Sequence, residues 1–260
     1  MLEKYFIVLC TAALLSAEGI PEQQERIIGG DYVPIEDVPW QVALLRNEKH
    51  FCGGSIYNQR VILTAAHCVK GKKLRGLSVR AGSALKNFGG QLVSVDRVIL
   101  HQDYVSSTDT LENDIAVLFL ASPLELGPTV QPIKLAEESP EPGTNVLVTG
   151  WGALHDRPFL FFKEILLRTI LTIVDRNECF EAYIADNFAI PVNATCAYAI
   201  GRGACRLDSG GPVVTLHPQR LIGIVSGVHT CAGELPEFHT DVAALKEWII
   251  NTVETYYRHK

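Results

Sequence analysis

Three short runs of this chain carry side chains that can do chemistry together. His67 lies in Thr64-Ala65-Ala66-His67-Cys68, and Asp114 in Asn113-Asp114-Ile115-Ala116-Val117-Leu118. Ser209 lies in Cys205-Arg206-Leu207-Asp208-Ser209-Gly210-Gly211-Pro212. A serine hydroxyl is a weak nucleophile until a base takes its proton. An imidazole titrates near neutrality and can take that proton. A buried carboxylate fixes the imidazole tautomer and stabilises the imidazolium. A lone histidine beside a cysteine is more often structural, and a lone aspartate before an apolar strand is more often a turn. All three runs in the order His, Asp, Ser, with cysteines beside two of them, form a specific pattern.

The runs resemble the histidine, aspartate and nucleophile motifs of the chymotrypsin/trypsin family of serine proteases (peptidase S1), in an insect-like or other invertebrate-like secreted form. The resemblance extends from Ile27 to about Trp248. It implies His67 as general base, Asp114 as its orienter and Ser209 as nucleophile. The reaction implied is peptide-bond hydrolysis through an acyl-enzyme, with no cofactor and no metal. The family's oxyanion hole takes backbone N–H groups from the positions of Ser209 and Leu207. The family pattern has glycine where this chain has Leu207. Leucine is disfavoured in conformations that glycine adopts freely. Either the loop keeps its shape under strain, or the peptide turns and one donor is lost. The first outcome gives a working endopeptidase. The second gives a weakly active or non-catalytic homologue that acts as a binding or regulatory protein.

Further expectations rest on the same resemblance. Arg26-Ile27-Ile28-Gly29-Gly30 looks like an activation junction. Cleavage after Arg26 by a trypsin-like activator frees an α-amino group on Ile27, which pairs with Asp208. The specificity pocket maps to Gly203, Ala204, Ser226, Val228 and Glu237. Gly203 replaces the aspartate of trypsins, and Gly227-Val228 replaces the usual Trp-Gly. Val228 should narrow the pocket mouth, and Glu237 should offer a carboxylate if it reaches the floor. Small P1 residues follow from the first feature and basic ones from the second.

The rest of the chain must position these residues. Lys4 precedes an apolar run, Tyr5 to Leu15, followed by Ser16 and Ala17. That run is too short to span a bilayer and reads as a cleaved secretory signal. The expected organisation is a signal at residues 1–17, an activation propeptide at 18–26 and a protease domain at 27–260. The propeptide is polar and should be disordered. No later stretch is long and apolar enough to be a membrane span.

Of seven cysteines, Cys10 lies in the signal. Six remain, an even count that suggests disulfides in an oxidising compartment, with the pairing open from spacing alone. The resemblance selects Cys52–Cys68, Cys179–Cys196 and Cys205–Cys231. No Cys-x-x-Cys pair favours zinc. The loop Ala81–Val95 carries no carboxylate to hold calcium. Asn193-Ala194-Thr195 is a glycosylation sequon. A formal charge of −6 gives no basic footprint for nucleic acid. The expected partners are protein or peptide substrates, an activating protease and protein inhibitors, for a secreted, extracellular protein.

Short β-type runs broken by Gly, Pro and Asn predict an all-β architecture. They are Trp40–Leu45, Ser55–Leu63, Ser78–Ala81, Gln91–Leu100, Ile115–Leu120, Asn145–Thr149, Glu164–Ile173, Pro212–Leu216 and Leu221–Ser226. Leu135–Gly143 reads as a linker between halves. Val242, Leu245, Trp248, Ile249 and Val253 recur at helical spacing, with Asp241 placed to cap the first turn. The family resemblance implies two packed six-stranded antiparallel barrels, a C-terminal helix and a catalytic cleft between the barrels. His50, His101, His155, His217 and His259 read as surface or packing residues, while His229 and His239 fall in the pocket region.

Overall fold

The computed structural model describes residues 29–152, 164–227 and 231–260. The signal, the propeptide, Arg26, Ile27, His155, Val228 and His229 lie outside the described residues.

Thirteen strands are described. The first seven are β1 (Asp31–Tyr32), β2 (Gln41–Arg46), β3 (Lys49–Asn58), β4 (Val61–Thr64), β5 (Leu77–Ala81), β6 (Gln91–Leu100) and β7 (Ala116–Leu120). The others are β8 (Asn145–Gly150), β9 (Leu167–Val174), β10 (Ala194–Tyr198), β11 (Pro212–Thr215), β12 (Leu221–Gly227) and β13 (Glu237–Asp241). The order β2-β3-β4-β7-β6-β5 closes into the first barrel. β8, β9, β10, β13, β12 and β11 form the second, which closes because β8 pairs with both β9 and β11. All these pairings are antiparallel, and β1 adds to the outside of β9. Closure leaves no free ladder edge around either barrel.

Period-two patterning builds the walls. In β9, Leu167, Thr169, Leu171 and Ile173 point inward and are buried, while Arg168 and Ile170 are exposed. The segment read as one strand, Ser55–Leu63, is a hairpin. It turns between Asn58 and Val61, where Asn58 Oδ1 accepts from the Arg60 N–H at 2.9 Å. The run Glu164–Ile173 becomes strand only at Leu167. Leu135–Gly143 does join the barrels, but it is clipped down: Ala136 N–H donates to Leu221 O at 3.0 Å and Leu221 N–H to Lys134 O at 2.9 Å.

Among the described residues the α-helices are few: α1 (Ala66–Val69), α2 (Arg176–Tyr183) and α3 (Lys246–Arg258). α3 begins at Lys246, four residues later than a cap at Asp241 implies. Asp241 ends β13 instead, and its carboxylate accepts from Ala244 N–H at 3.1 Å. Ile249 and Val253 then bury the apolar stripe of α3 against the first barrel's core. α2 has a side-chain cap, with Asp175 Oδ1 accepting from Asn177 N–H at 2.7 Å.

The disulfides are Cys52–Cys68, Cys179–Cys196 and Cys205–Cys231, the pairing that the resemblance implies. They tie α1 to β3, α2 to β10 and the nucleophile loop to residue 231. Loops of 16, 17 and 26 residues are closed, each worth about 3 kcal/mol in the chain-entropy account.

Candidate active site

His67 sits in α1, just after β4 has carried the chain across the first barrel. Asp114 precedes β7, the neighbour of β4, so the two side chains meet at one end of that barrel. Asp114 Oδ2 lies 2.7 Å from His67 Nδ1, and Oδ1 accepts from the His67 backbone N–H at 2.8 Å. The second barrel completes the grip. Ser226 Oγ donates to Asp114 Oδ2 at 2.7 Å, and Thr240 Oγ1 donates to the Asp114 carbonyl at 2.9 Å. Ser226 reaches across because β12 bulges between Val225 and Gly227, which re-aims the side chain. Asp114 is 1% exposed, so its charge is held by these donors rather than by water.

Ser209 enters from the second barrel, in the turn before β11. Its carbonyl accepts from Gly53 N–H of β3 at 2.8 Å, and Val225 O accepts from Gly210 N–H at 2.7 Å. These bonds clamp the nucleophile loop between the barrels. His67 Nε2 and the Ser209 carbonyl approach Cys68 Sγ to 3.7 Å and 3.6 Å. No hydrogen bond joins the Ser209 side chain to His67. Catalytic hydrogen bonds are often loose without substrate and tighten in the complex.

Leu207, where the sequence left two outcomes open, has a φ of +79°. The loop keeps a glycine-like backbone and carries the strain, of order 1–2 kcal/mol for a residue with a Cβ.

Asp208 is 1% exposed. Gly152 N–H donates to its Oδ1 at 2.7 Å and Cys205 N–H to its Oδ2 at 2.9 Å. Side chains at Gly150 or Gly152 would collide with this carboxylate, so both glycines serve its close approach. Burial pushes the carboxyl up to about 6, against the two N–H groups and the Lys86 charge, which pull it down. Lys86 itself is a buried side chain from the loop Ala81–Val95, 3.6 Å from Glu164. Near it, His50 is held down to about 4, first by burial and then by the Lys86 charge. The edge of its ring packs on Trp151 at 5.6 Å.

Gly203, Ala204, Ser226 and Glu237 converge behind the nucleophile loop, and all four are buried. Glu237 is only 5% exposed and points inward. Any Cβ at Gly203 would collide with its Oε1. The Glu237 carboxylate thus reaches Gly203 from β13. Burial pushes the Glu237 carboxyl well above the usual carboxylate range, and the Asp208 charge adds to that, while the Ala204 N–H acts against it. The space beside Gly227 is filled. The Phe238 ring lies directly against Gly227 and stacks on Phe188 at 5.2 Å. Sequence reasoning did not find the partner of Glu237: His239, fully buried two residues along β13, with Nε2 3.8 Å from Glu237 Oε2.

Among the described residues, Cys52, His67 and Cys68 are the one group with clustered ligand atoms, and both cysteines are spent in a disulfide. A positioned histidine–carboxylate pair beside a clamped serine can carry acyl transfer.

A family model described as Trypsin matches residues 27–249. The chain is 38% identical over 259 residues to trypsin alpha-4 of Lucilia cuprina, covering 97% of this chain and 99% of that protein. It is 39% identical over 237 residues to trypsin theta of Drosophila erecta, covering 90% and 88% of the two chains. It is 35% identical over 261 residues to hypodermin-B of Hypoderma lineatum, covering 97% and 99%. A solved structure of neuropsin, a serine protease expressed in the limbic system of mouse brain, superposes with a TM-score of 0.77 at 33% identity. That match covers 86% of this chain and 98% of neuropsin. With its two closed barrels and His67–Asp114 pair beside Ser209, the chain belongs to the trypsin family and is a serine endopeptidase of insect type.

Proposed function

We propose that this endopeptidase is secreted as a precursor, is switched on by cleavage after Arg26, and works through His67, Asp114 and Ser209. The observation that carries the assignment is the double contact of Asp114 on His67. With Nδ1 engaged, Nε2 is the nitrogen left to take a proton from Ser209. Ser209 then attacks the carbonyl of a protein or peptide substrate, and the backbone N–H groups of Leu207 and Ser209 receive the oxyanion. The positive φ of Leu207 supports a formed hole and so favours the active enzyme over a non-catalytic binding homologue.

The buried Asp208 supports the activation reading. A carboxylate out of water with only N–H donors is costly, and a cation supplied beside it lowers that cost. The Ile27 ammonium is that cation in our reading, and cleavage by a trypsin-like protease is the switch. Secretion is supported by the apolar run Tyr5–Leu15 and by the disulfides. No helix among the described residues is long and apolar enough to cross a membrane. Protein inhibitors of the family's type would occupy the same cleft. The pocket, with Glu237 at its floor, takes small P1 residues and basic ones; the narrowing expected from Val228 falls outside the described residues.

Trypsin treatment of the precursor tests the switch. The expected product starts at Ile27 and is active, while Arg26→Gln stays intact and inactive. A functional mature start elsewhere in the chain overturns it.

A further inference from the structure

We propose that Glu237 and His239 share one proton at the floor of the specificity pocket, so that recognition of a cationic P1 side chain releases that proton and strengthens with rising pH. The inference rests on the pocket reading above.

The two residues are i and i+2 on β13, so they face the same side of the strand. His239 is 0% exposed and Glu237 5% exposed. His239 Nε2 and Glu237 Oε2 are 3.8 Å apart. Among the described residues no second side chain hydrogen-bonds either ring nitrogen or either carboxyl oxygen, and the Ala204 N–H is the one backbone donor that bears on the carboxylate. One N–H donor does not offset the burial of a lone carboxylate, and a lone imidazolium has no donor or acceptor to hold it there. The couple therefore rests neutral, as acid and imidazole or as carboxylate and imidazolium. Both forms contain the same single proton between the two groups. A phenylalanine would fill the site of His239 without polar atoms to satisfy, so a filler role does not account for the imidazole.

The surroundings leave that proton to these two groups. From β12, Ser226 has already donated its hydroxyl to Asp114. β10 presents Thr195 and Ala197 opposite His239 and Glu237. From α2, Tyr183 donates its hydroxyl to Pro236 O. The nucleophile loop presents Asp208, whose charge opposes ionisation of Glu237, and Arg202 flanks Gly203. Burial alone holds His239 down, to about 3.

When a lysine or arginine side chain, or an amidinium probe, reaches the floor, its positive charge favours the Glu237 carboxylate. The proton leaves to solvent, His239 is left neutral, and charge balances: cation plus neutral couple gives cation–carboxylate pair plus one proton. A small apolar P1 side chain makes no such demand, so its recognition is not coupled to this proton.

The test is calorimetric titration of benzamidine into the chain cleaved to begin at Ile27, in buffers of different ionisation enthalpy from pH 5.5 to 9. The expected result is release of about one proton per ligand, with affinity rising about tenfold per pH unit until the couple is ionised. Glu237→Gln keeps the titrating groups His67 and Asp208. It should bind benzamidine about 10-fold to 100-fold more weakly and lose the proton release. His239→Phe should still bind, with the midpoint of the pH dependence moved by about one unit or more. Benzamidine affinity that is flat with pH, or release unchanged in Glu237→Gln, overturns the couple. An unmoved midpoint in His239→Phe overturns the part given to His239. The measurement needs no turnover. An inactive chain that binds with proton release overturns the protease reading alone. An active chain with flat binding overturns this inference alone.

Discussion

Asp114 holds His67 at two atoms, its Oδ2 2.7 Å from Nδ1 and its Oδ1 2.8 Å from the backbone N–H. One contact selects the tautomer, and the other fixes the ring's position relative to its own backbone. Because Ser226 and Thr240 also bind Asp114, the aspartate is a joint between the two barrels. Asp114→Asn should keep the fold and lower kcat by about 10⁴, a size known from the family's archetype rather than derived from this geometry. Steady-state kinetics with unchanged thermal unfolding checks it. A loss below about tenfold contradicts the orienting role.

Ser226→Ala removes one donor from a buried carboxylate. Hydrogen bonds to charged groups contribute about 1.5–3 kcal/mol. The variant should lose about that much stability in denaturant unfolding, and kcat should fall more than KM changes. Unaltered stability and kcat would show that water replaces the hydroxyl.

Leu207 offers a sign test. Leucine at positive φ carries about 1–2 kcal/mol of strain, while glycine brings back about 0.5–1 kcal/mol of unfolded-state entropy. Leu207→Gly should therefore raise stability by about 0.5–1 kcal/mol and leave kcat within a few-fold. A rise in kcat approaching about 10²-fold, the worth of one oxyanion donor, would mean the native loop has lost its N–H.

Asp208 gives a pH signature. Its folded pKa of about 6 lies above the ordinary value of 3.8. Between these values the folded chain holds the extra proton, so this group's stabilisation is full below about pH 4 and is lost as pH rises through about 6. An ammonium supplied by Ile27 reverses the penalty only while Asp208 is ionised and the amine, with a pKa near 8, is protonated. The stability gap between the cleaved chain and uncleaved Arg26→Gln should widen from pH 5 to 7 and shrink above about 8. Urea midpoints at three pH values measure it, and a constant gap contradicts the pairing.

Glu237→Gly tests the pocket floor with paired peptides. The ratio of kcat/KM for Lys to that for Ala at P1 should fall about 10-fold to 100-fold, as expected for loss of a hydrogen-bonded charge pair. An unchanged ratio places the carboxylate out of reach of P1.

The chemistry was legible because its residues are fixed in type: His67, Asp114 and Ser209 stand in runs whose neighbours also do work. The apolar strands were legible because buried β-branched runs bounded by turn residues have few alternatives. β13 was not, since Glu-Phe-His-Thr-Asp reads as a polar, solvent-facing segment and only barrel closure buries it. Glu237 and His239 are therefore visible as a pair only once β10 and β12 flank them. β10 and α2 are short and of mixed composition, and the Asp175 cap was the one local signal for α2. Asp241 looked like a helix cap because its side chain does accept a backbone N–H, but at a turn that precedes α3. The φ of Leu207 cannot be read from its type, because type and loop shape disagree there.

Ser209 should be an activated nucleophile in the chain that begins at Ile27. Titration with a chromogenic acylating reagent measures this directly. The expected result is a burst of about one leaving group per cleaved chain, absent in Ser209→Ala and in uncleaved Arg26→Gln. No burst after verified cleavage at Ile27 would contradict it.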